Sequence, residues 1–187
     1  WYASAVRADG IDAAMLVLPS AYVVRQVRAR ILAEELLPGL LDARIYSFPD
    51  LADTLLHANH AYAPQISDLQ RRILITSILE EMDHEGRLEA LQSSAKTPGL
   101  VRALTDFIDE LKRAAVRTDQ FANTLKNAGL DRPLDQELGE VYSRYQKILQ
   151  DRRLYDSAGR FWEARDLLAQ GNTAPFGDLR LLLVDGF

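Results

Sequence analysis

Leu179-Arg180-Leu181-Leu182-Leu183-Val184-Asp185-Gly186-Phe187 sets the reading of the whole chain. Leu179 and Leu181–Val184 form an apolar run, and an acid follows it at once. A short apolar run without alternation suits a central strand of a parallel sheet, covered by helices on both faces. In open α/β sheets, ligands and chemistry gather at the carboxyl ends of the strands, where Asp185 falls. Such a strand needs sheet partners. Its place at the close of the sequence, with Trp1 rather than Met at the start, leads to the expectation of a piece of a longer protein.

The partners lie at the other end of the chain. Ala13-Ala14-Met15-Leu16-Val17-Leu18 is apolar throughout and is stopped by Pro19. Ser20 is a suitable cap for a helix from Ala21 to about Leu37, with Val23, Val24, Val27, Ile31 and Leu32 as its apolar stripe. Pro38-Gly39 ends that helix. Ala43–Phe48 is a second short strand. Ser47 caps the helix after it, with Pro49 in the first turn and Leu51, Leu55 and Leu56 inward. Strand, helix, strand, helix predicts a parallel sheet with right-handed crossovers.

Then the period changes. Ser67-Asp68-Leu69-Gln70 has the spacing of a capping box, and Leu69, Ile73, Leu74, Ile78 and Leu79 follow at helical spacing. Thr97-Pro98 opens a helix with Leu100, Val101, Leu104, Phe107, Ile108 and Leu111 on one face. Thr118 opens a shorter helix. Pro133 opens a long one with Leu134, Leu138, Val141, Tyr142, Tyr145, Ile148 and Leu149 inward. A last helix is expected from about Asp156 to Leu168. No convincing strand falls between 66 and 168. The sequence therefore predicts a predominantly helical α/β chain: a partial α/β domain over 1–62 and 176–187, with a helical insertion over 63–175. Two separate domains are the plainer alternative.

Apolar residues make up 48% of the 187, enough for a core, and the formal net charge is −5. That balance argues against a simple basic nucleic-acid binder but leaves room for a local basic stripe. The absence of cysteine excludes disulfides, thiolate metal sites and cysteine nucleophiles within the sequence. No apolar run approaches the ~18–20 residues that span a bilayer, and no signal peptide is expected, so a cytoplasmic protein without membrane contact is the default.

A parallel α/β core interrupted by helices, with an acid after an apolar strand, resembles the first, RecA-like motor domain of UvrD-like superfamily 1 helicases. That family carries a strand, a Thr-Asn turn and a helix of the form Arg-Glu-Met-Lys-Glu-Arg-Ile. This chain has Met15–Leu18, then Pro19-Ser20-Ala21, then Arg25-Gln26-Val27-Arg28-Ala29-Arg30-Ile31. The family's Thr-Phe-His-Ser turn is matched by Tyr46-Ser47-Phe48-Pro49. Its Leu-Asp-Phe-Asp-Asp-Leu helix start is matched by Leu154-Tyr155-Asp156-Ser157-Ala158-Gly159, and its Val-Asp-Glu-Phe by Val184-Asp185-Gly186-Phe187. The departures, above all Asp-Gly-Phe for Asp-Glu-Phe, are similar to the AddB or RexB component of the AddAB or RexAB helicase–nuclease. That resemblance implies a degenerate motor that scans single-stranded DNA beside an AddA-type motor partner, in DNA double-strand break repair, with a nuclease domain elsewhere in the parent protein.

A P-loop motor needs a glycine-rich Lys-Ser/Thr loop for phosphates, an Asp for Mg²⁺ and a carboxylate for the attacking water. No GxxxxGK[ST] occurs in the sequence. Asp185 fits the magnesium position. Gly186, where the carboxylate belongs, has no side chain to polarise water. The expectation is no cofactor and no ATP hydrolysis here, with ATP and Mg²⁺ left open for the parent. Asp185 as a plain strand-end cap is the alternative.

Single-strand contacts in this superfamily come from turns at strand ends, with aromatic side chains against bases. The matching candidates are Ser20, Arg25, Arg28, Ser47 and Phe48. Their structural alternative is helix capping by the serines and core packing by Phe48, and a capping serine can do both jobs. Arg71-Arg72 and Lys112-Arg113 are candidate DNA contacts from the helical block, or merely solubilising. Asp106, Asp109 and Glu110 read as a solvated acidic face. Phe161 and Trp162 read as packing residues. His57 and His60 have metal-site spacing but no third ligand, which favours a solvated helix end. The functional expectation is DNA binding or guiding without hydrolysis. An active UvrD-type ATP-dependent helicase and a helical protein-interaction module are the rivals.

Overall fold

In the computed structural model of the chain, residues 1–130 and 132–186 are described. The chain is α/β and predominantly helical, with one small parallel sheet. It forms two compact units, one from residues 1–62 with 163–187 and the other from 63–162.

The first unit holds α1 (Tyr2–Asp9), β1 (Ala14–Leu18), α2 (Ala21–Ala33), β2 (Ile45–Ser47), α3 (Phe48–Ala58) and β3 (Leu181–Val184). Its strands run in the order β2-β1-β3, all parallel. Leu16 to Leu18 pair with Ile45 to Ser47, and Ala14 to Val17 pair with Leu181 to Val184. One face of the sheet, with Ala14, Leu18 and Ile45, packs with Tyr2, Val24 and Ile31 of α1 and α2. Met15 and Val17 alternate to the opposite face and are buried as well. Pro19 stops β1, and the Ser20 side chain accepts the Val23 N–H as the α2 cap. Ser47 caps α3 in the same way, with Pro49 in the first turn.

The closing strand forms and pairs in parallel, but β1 is central and β3 pairs with β1 alone among the described residues. Leu182 is 52% exposed and Val184 54%. A run of leucines specifies a strand without specifying its place in the sheet, which pairing decides. The helix after Ser20 also ends earlier than expected, at Ala33, and Leu32 is exposed. Helix α1 has no counterpart among the elements expected from sequence.

The second unit holds α4 (Asp68–His84), a 3₁₀ turn (Gln92–Ser94), α5 (Pro98–Arg113), α6 (Thr118–Asn127) and α7 (Pro133–Asp151). Helix α8 (Gly159–Ala169) begins in this unit and ends in the first. No strand occurs in this unit among the described residues. Its entry and exit segments meet, however: the Ile66 N–H donates to the Tyr155 carbonyl and the Tyr155 N–H to that of Pro64. Ser67 and Gln70 form the expected capping box. The core gathers Ile75, Ile78, Leu79 and Met82 of α4 with Leu104 and Ile108 of α5 and Val141, Tyr142, Tyr145 and Leu149 of α7. The expected stripe on α4 is partly wrong. Leu69 and Ile73 are exposed, and the inward face is Arg71, Ile75, Ile78, Leu79 and Met82. Leu69 and Ile73 are four apart, as are Arg71 and Ile75, and packing against α5 and α7 selects the second pair. Leu134 is likewise exposed.

Candidate nucleic-acid interface

Parallel pairing brings the carboxyl ends of all three strands to one edge. Ser20 follows β1, Ser47 closes β2 and Asp185 follows β3. In the order 2-1-3 the connections reverse direction between the first and third strands, the place where open α/β sheets open a ligand crevice. Pro19 and Ser20 stand on one side of that point, and Asp185 and Gly186 on the other. The Asp185 N–H donates to the Val17 carbonyl at 3.1 Å, so β3 stays laddered to β1 as far as the acid.

Gly186 is more than a position lacking a carboxylate. Its φ is +83°, a conformation that side-chain-bearing residues rarely adopt. A Cβ built there would stand 3.1 Å from Pro19 Cγ and 3.3 Å from Cδ. Pro19 and Gly186 therefore fit as a pair, and the space that a side chain at 186 would enter is filled by the proline ring. Phe187, the last residue of the motif, lies outside the described residues.

The other candidates separate. Ser20 is exposed, and so is Arg25 one turn further along α2. Phe48, in the first turn of α3, is 42% exposed. Arg28 donates from Nη2 to the Ile45 carbonyl at 3.0 Å, a contact that clamps α2 to β2. Ser47 is buried; its hydroxyl donates to Asp50 Oδ2 at 2.7 Å and accepts the Asp50 N–H. Ser20, Arg25, Arg28 and Phe48 are thus exposed at the surface, whereas Ser47 is engaged within the fold. Tyr22, in the first turn of α2, is 62% exposed at the same edge. It is absent from the candidates taken from sequence; the available signal is an aromatic two residues beyond a capping serine.

The helical unit corrects two further expectations. Arg71 and Lys112 are buried and do not present themselves to DNA. Lys112 Nζ lies 2.8 and 2.7 Å from the two carboxylate oxygens of Asp156 and 3.0 Å from Gln146 Oε1, which occupies its three protons. The Asp156 carboxylate also accepts from Tyr145 Oη at 2.9 Å and from the Gly159 N–H at 2.7 Å, the latter at the start of α8. Arg71 Nε donates to Tyr145 Oη at 3.2 Å, and its guanidinium forks onto Asp109. So Asp109, read from sequence as part of a solvated face, is the partner of a buried arginine. Burial pushes the Asp156 carboxyl up, but Lys112 and the hydrogen bonds outweigh it and hold it below the ordinary carboxylate range. Burial pushes the Tyr145 hydroxyl up, which keeps it a donor. The signal is present in the sequence: Lys112 continues the Leu104, Ile108 series on the apolar face of α5.

Trp162 donates from Nε1 to the Lys112 carbonyl at 3.1 Å, a packing role within the helical unit. His57 stacks on Tyr62 with ring centroids 3.9 Å apart. Among the described residues no three carboxylates or histidines gather at metal-binding distance, and no helix is long and apolar enough to cross a membrane.

The sequence model of the family described as "ADDB, N-terminal" matches residues 7–164. The B subunit of the ATP-dependent helicase/deoxyribonuclease of Ruminiclostridium cellulolyticum is 28% identical over 144 residues, covering 74% of this chain and 12% of that protein. This chain thus spans a small part of the length of that relative. With a family match over most of its length, running from α1 through the helical unit into α8, the chain belongs to the AddB amino-terminal family.

Proposed function

We propose that this chain is the helicase-like region of an AddB-type helicase–nuclease component that works in DNA double-strand break repair, and that it binds or guides single-stranded DNA without hydrolysing ATP. Family membership supports the DNA-repair setting. The observation that carries the rest is the composition of the sheet edge. Ser20, Arg25 and Phe48 are exposed there, while Gly186 follows Asp185 in a backbone conformation that side-chain-bearing residues rarely adopt. A hydroxyl at a helix N-terminus, a guanidinium and an aromatic ring suit a phosphate and a base. The want of a carboxylate after Asp185 counts against an active motor, which needs one to orient the attacking water.

In this reading Asp185 and Gly186 are the remnant of a magnesium motif. ATP and Mg²⁺, if bound at all, are bound with help from segments of the parent protein that carry a phosphate loop. An AddA-type motor partner supplies the translocation, and the setting is cytoplasmic, where that DNA is. The test is fluorescence anisotropy of a labelled thymidine oligonucleotide, with phosphate release measured in parallel. The expected result is binding at low salt that weakens as salt rises, with no ATP turnover. No binding at low salt would overturn the DNA-guiding role, and DNA-stimulated phosphate release would restore the active helicase.

A further inference from the structure

We infer that Tyr22 is a base-stacking platform for single-stranded nucleic acid, working beside Phe48 across the ends of β1 and β2. The inference rests on the reading above, that this sheet edge meets a single strand, and adds to it the residue that holds the bases.

Each ring stands in the first turn of the helix that follows a strand. Tyr22 comes two residues after the Ser20 cap of α2, and Phe48 directly after the Ser47 cap of α3. The strands they follow are paired neighbours, with Leu18 opposite Ser47, so the two helices start from adjacent strand ends at the same edge of the sheet. Tyrosines of the helical core are treated otherwise: Tyr142 and Tyr145 are wholly buried, whereas Tyr22 is 62% exposed.

The tyrosine is also held ready. Gln26 Nε2, one turn along α2, donates to the Tyr22 hydroxyl at 3.2 Å. The hydroxyl accepts that bond, which ties the ring to its own helix while its O–H remains available to donate and its exposed π face to stack. Arg25 is three residues on, a surface neighbour at helical spacing, and brings a cation within reach of the phosphate that joins stacked bases. The first turn of α2 carries no acid to repel that phosphate. Aromatic faces beside a guanidinium match the chemistry of an unpaired strand, whose bases are open on their faces; in a duplex those faces are covered by their neighbours.

The experiment compares two labelled strands of equal length, one of thymidines and one of abasic sites, binding to the purified chain and to Y22A, Y22F and R25A. Far-ultraviolet circular dichroism checks that each variant is folded. Tyr22→Ala is expected to weaken thymidine binding roughly tenfold while leaving the abasic strand unaffected. Tyr22→Phe keeps the ring and loses only the Gln26 contact, so it is expected to retain most of the thymidine binding that Tyr22→Ala loses. A Tyr22→Ala variant that binds thymidines like the parent, while Arg25→Ala binds them less well, overturns the stacking role and leaves the DNA-guiding role standing. Equal losses on both strands overturn stacking as well, since an abasic strand has nothing to stack. Failure of the parent chain to bind either strand removes the DNA-guiding role, and this inference with it.

Discussion

Gly186 carries two constraints at once. Its φ of +83° disfavours any L side chain, and the Pro19 ring occupies the space that a Cβ would take. The positive φ alone costs a side-chain-bearing residue about 1–2 kcal/mol. Gly186→Ala is therefore expected to lower the stability of the sheet unit by at least about 1 kcal/mol in urea unfolding. Pro19→Ala in the same chain should return only the part owed to the contact, because the backbone strain remains. Full recovery in the double variant would show that packing against Pro19 was the whole effect. The same geometry bears on the missing carboxylate: a glutamate placed at 186 would enter a strained backbone against a proline ring, so restoring the carboxylate there carries the same cost. From sequence alone Gly186 looks like a simple deletion. The positive φ and the fit to Pro19, far away along the chain, depend on the parallel pairing of β3 with β1 and have no local signature.

At the scale of elements, the start of α8 is held by a buried carboxylate with several partners. Asp156 binds Lys112, Tyr145 and the Gly159 N–H, and a Cβ on Gly159 would come within 2.9 Å of Asp156 Oδ1. Removing one partner of a buried ion pair leaves the other uncompensated and costs about 3–5 kcal/mol, so Lys112→Met should strongly destabilise the helical unit. Because the folded-state pKa of Asp156 is depressed, its stabilisation is present above the unfolded value of about 4 and is lost as pH falls toward the folded value. Urea unfolding at about pH 7 and about pH 3.5 should show a loss of stability on acidification that shrinks in Asp156→Asn. An unchanged pH dependence in that variant would mean that other carboxylates carry the acid sensitivity. The elements themselves are largely legible in the sequence. Caps at Ser20, Ser47, Ser67 and Thr97, and Pro98 and Pro133 in first helical turns, are local chemistry and mark helix starts directly. What the sequence marks poorly is facing. Leu69 and Ile73 share a stripe on paper but lie exposed, since the choice of inward face belongs to the packing of α4 on α5 and α7. Likewise Lys112 and Arg71 look like surface charges in the sequence because their partners, Asp156 and Asp109, are distant along it.

Over the whole molecule the charge balance limits how DNA can be held. With 27 acids against 22 lysines and arginines, the chain offers no broad positive field, and attraction must come from a few placed cations. Several of those cations are committed internally: Arg28 to the Ile45 carbonyl, Arg71 to Asp109, Lys112 to Asp156 and Arg144 to Glu85. At the sheet edge Arg25 is the exposed cation nearest the stacking rings in sequence. Each phosphate neutralised on a single strand contributes about −0.7 to the slope of log affinity against log salt. A contact confined to this sheet edge should therefore show a shallow slope, between about −1 and −2, unlike the steep dependence of broadly basic binders. Arg25→Ala should reduce its magnitude by about 0.7 while leaving the preference for thymidines over abasic sites intact. Anisotropy titrations at a series of salt concentrations measure both quantities together. A slope unchanged in Arg25→Ala would place the phosphate contact on another residue. A slope much steeper than about −2 would mean that cations of the helical unit, Arg72 and Arg113 among them, join the contact with DNA.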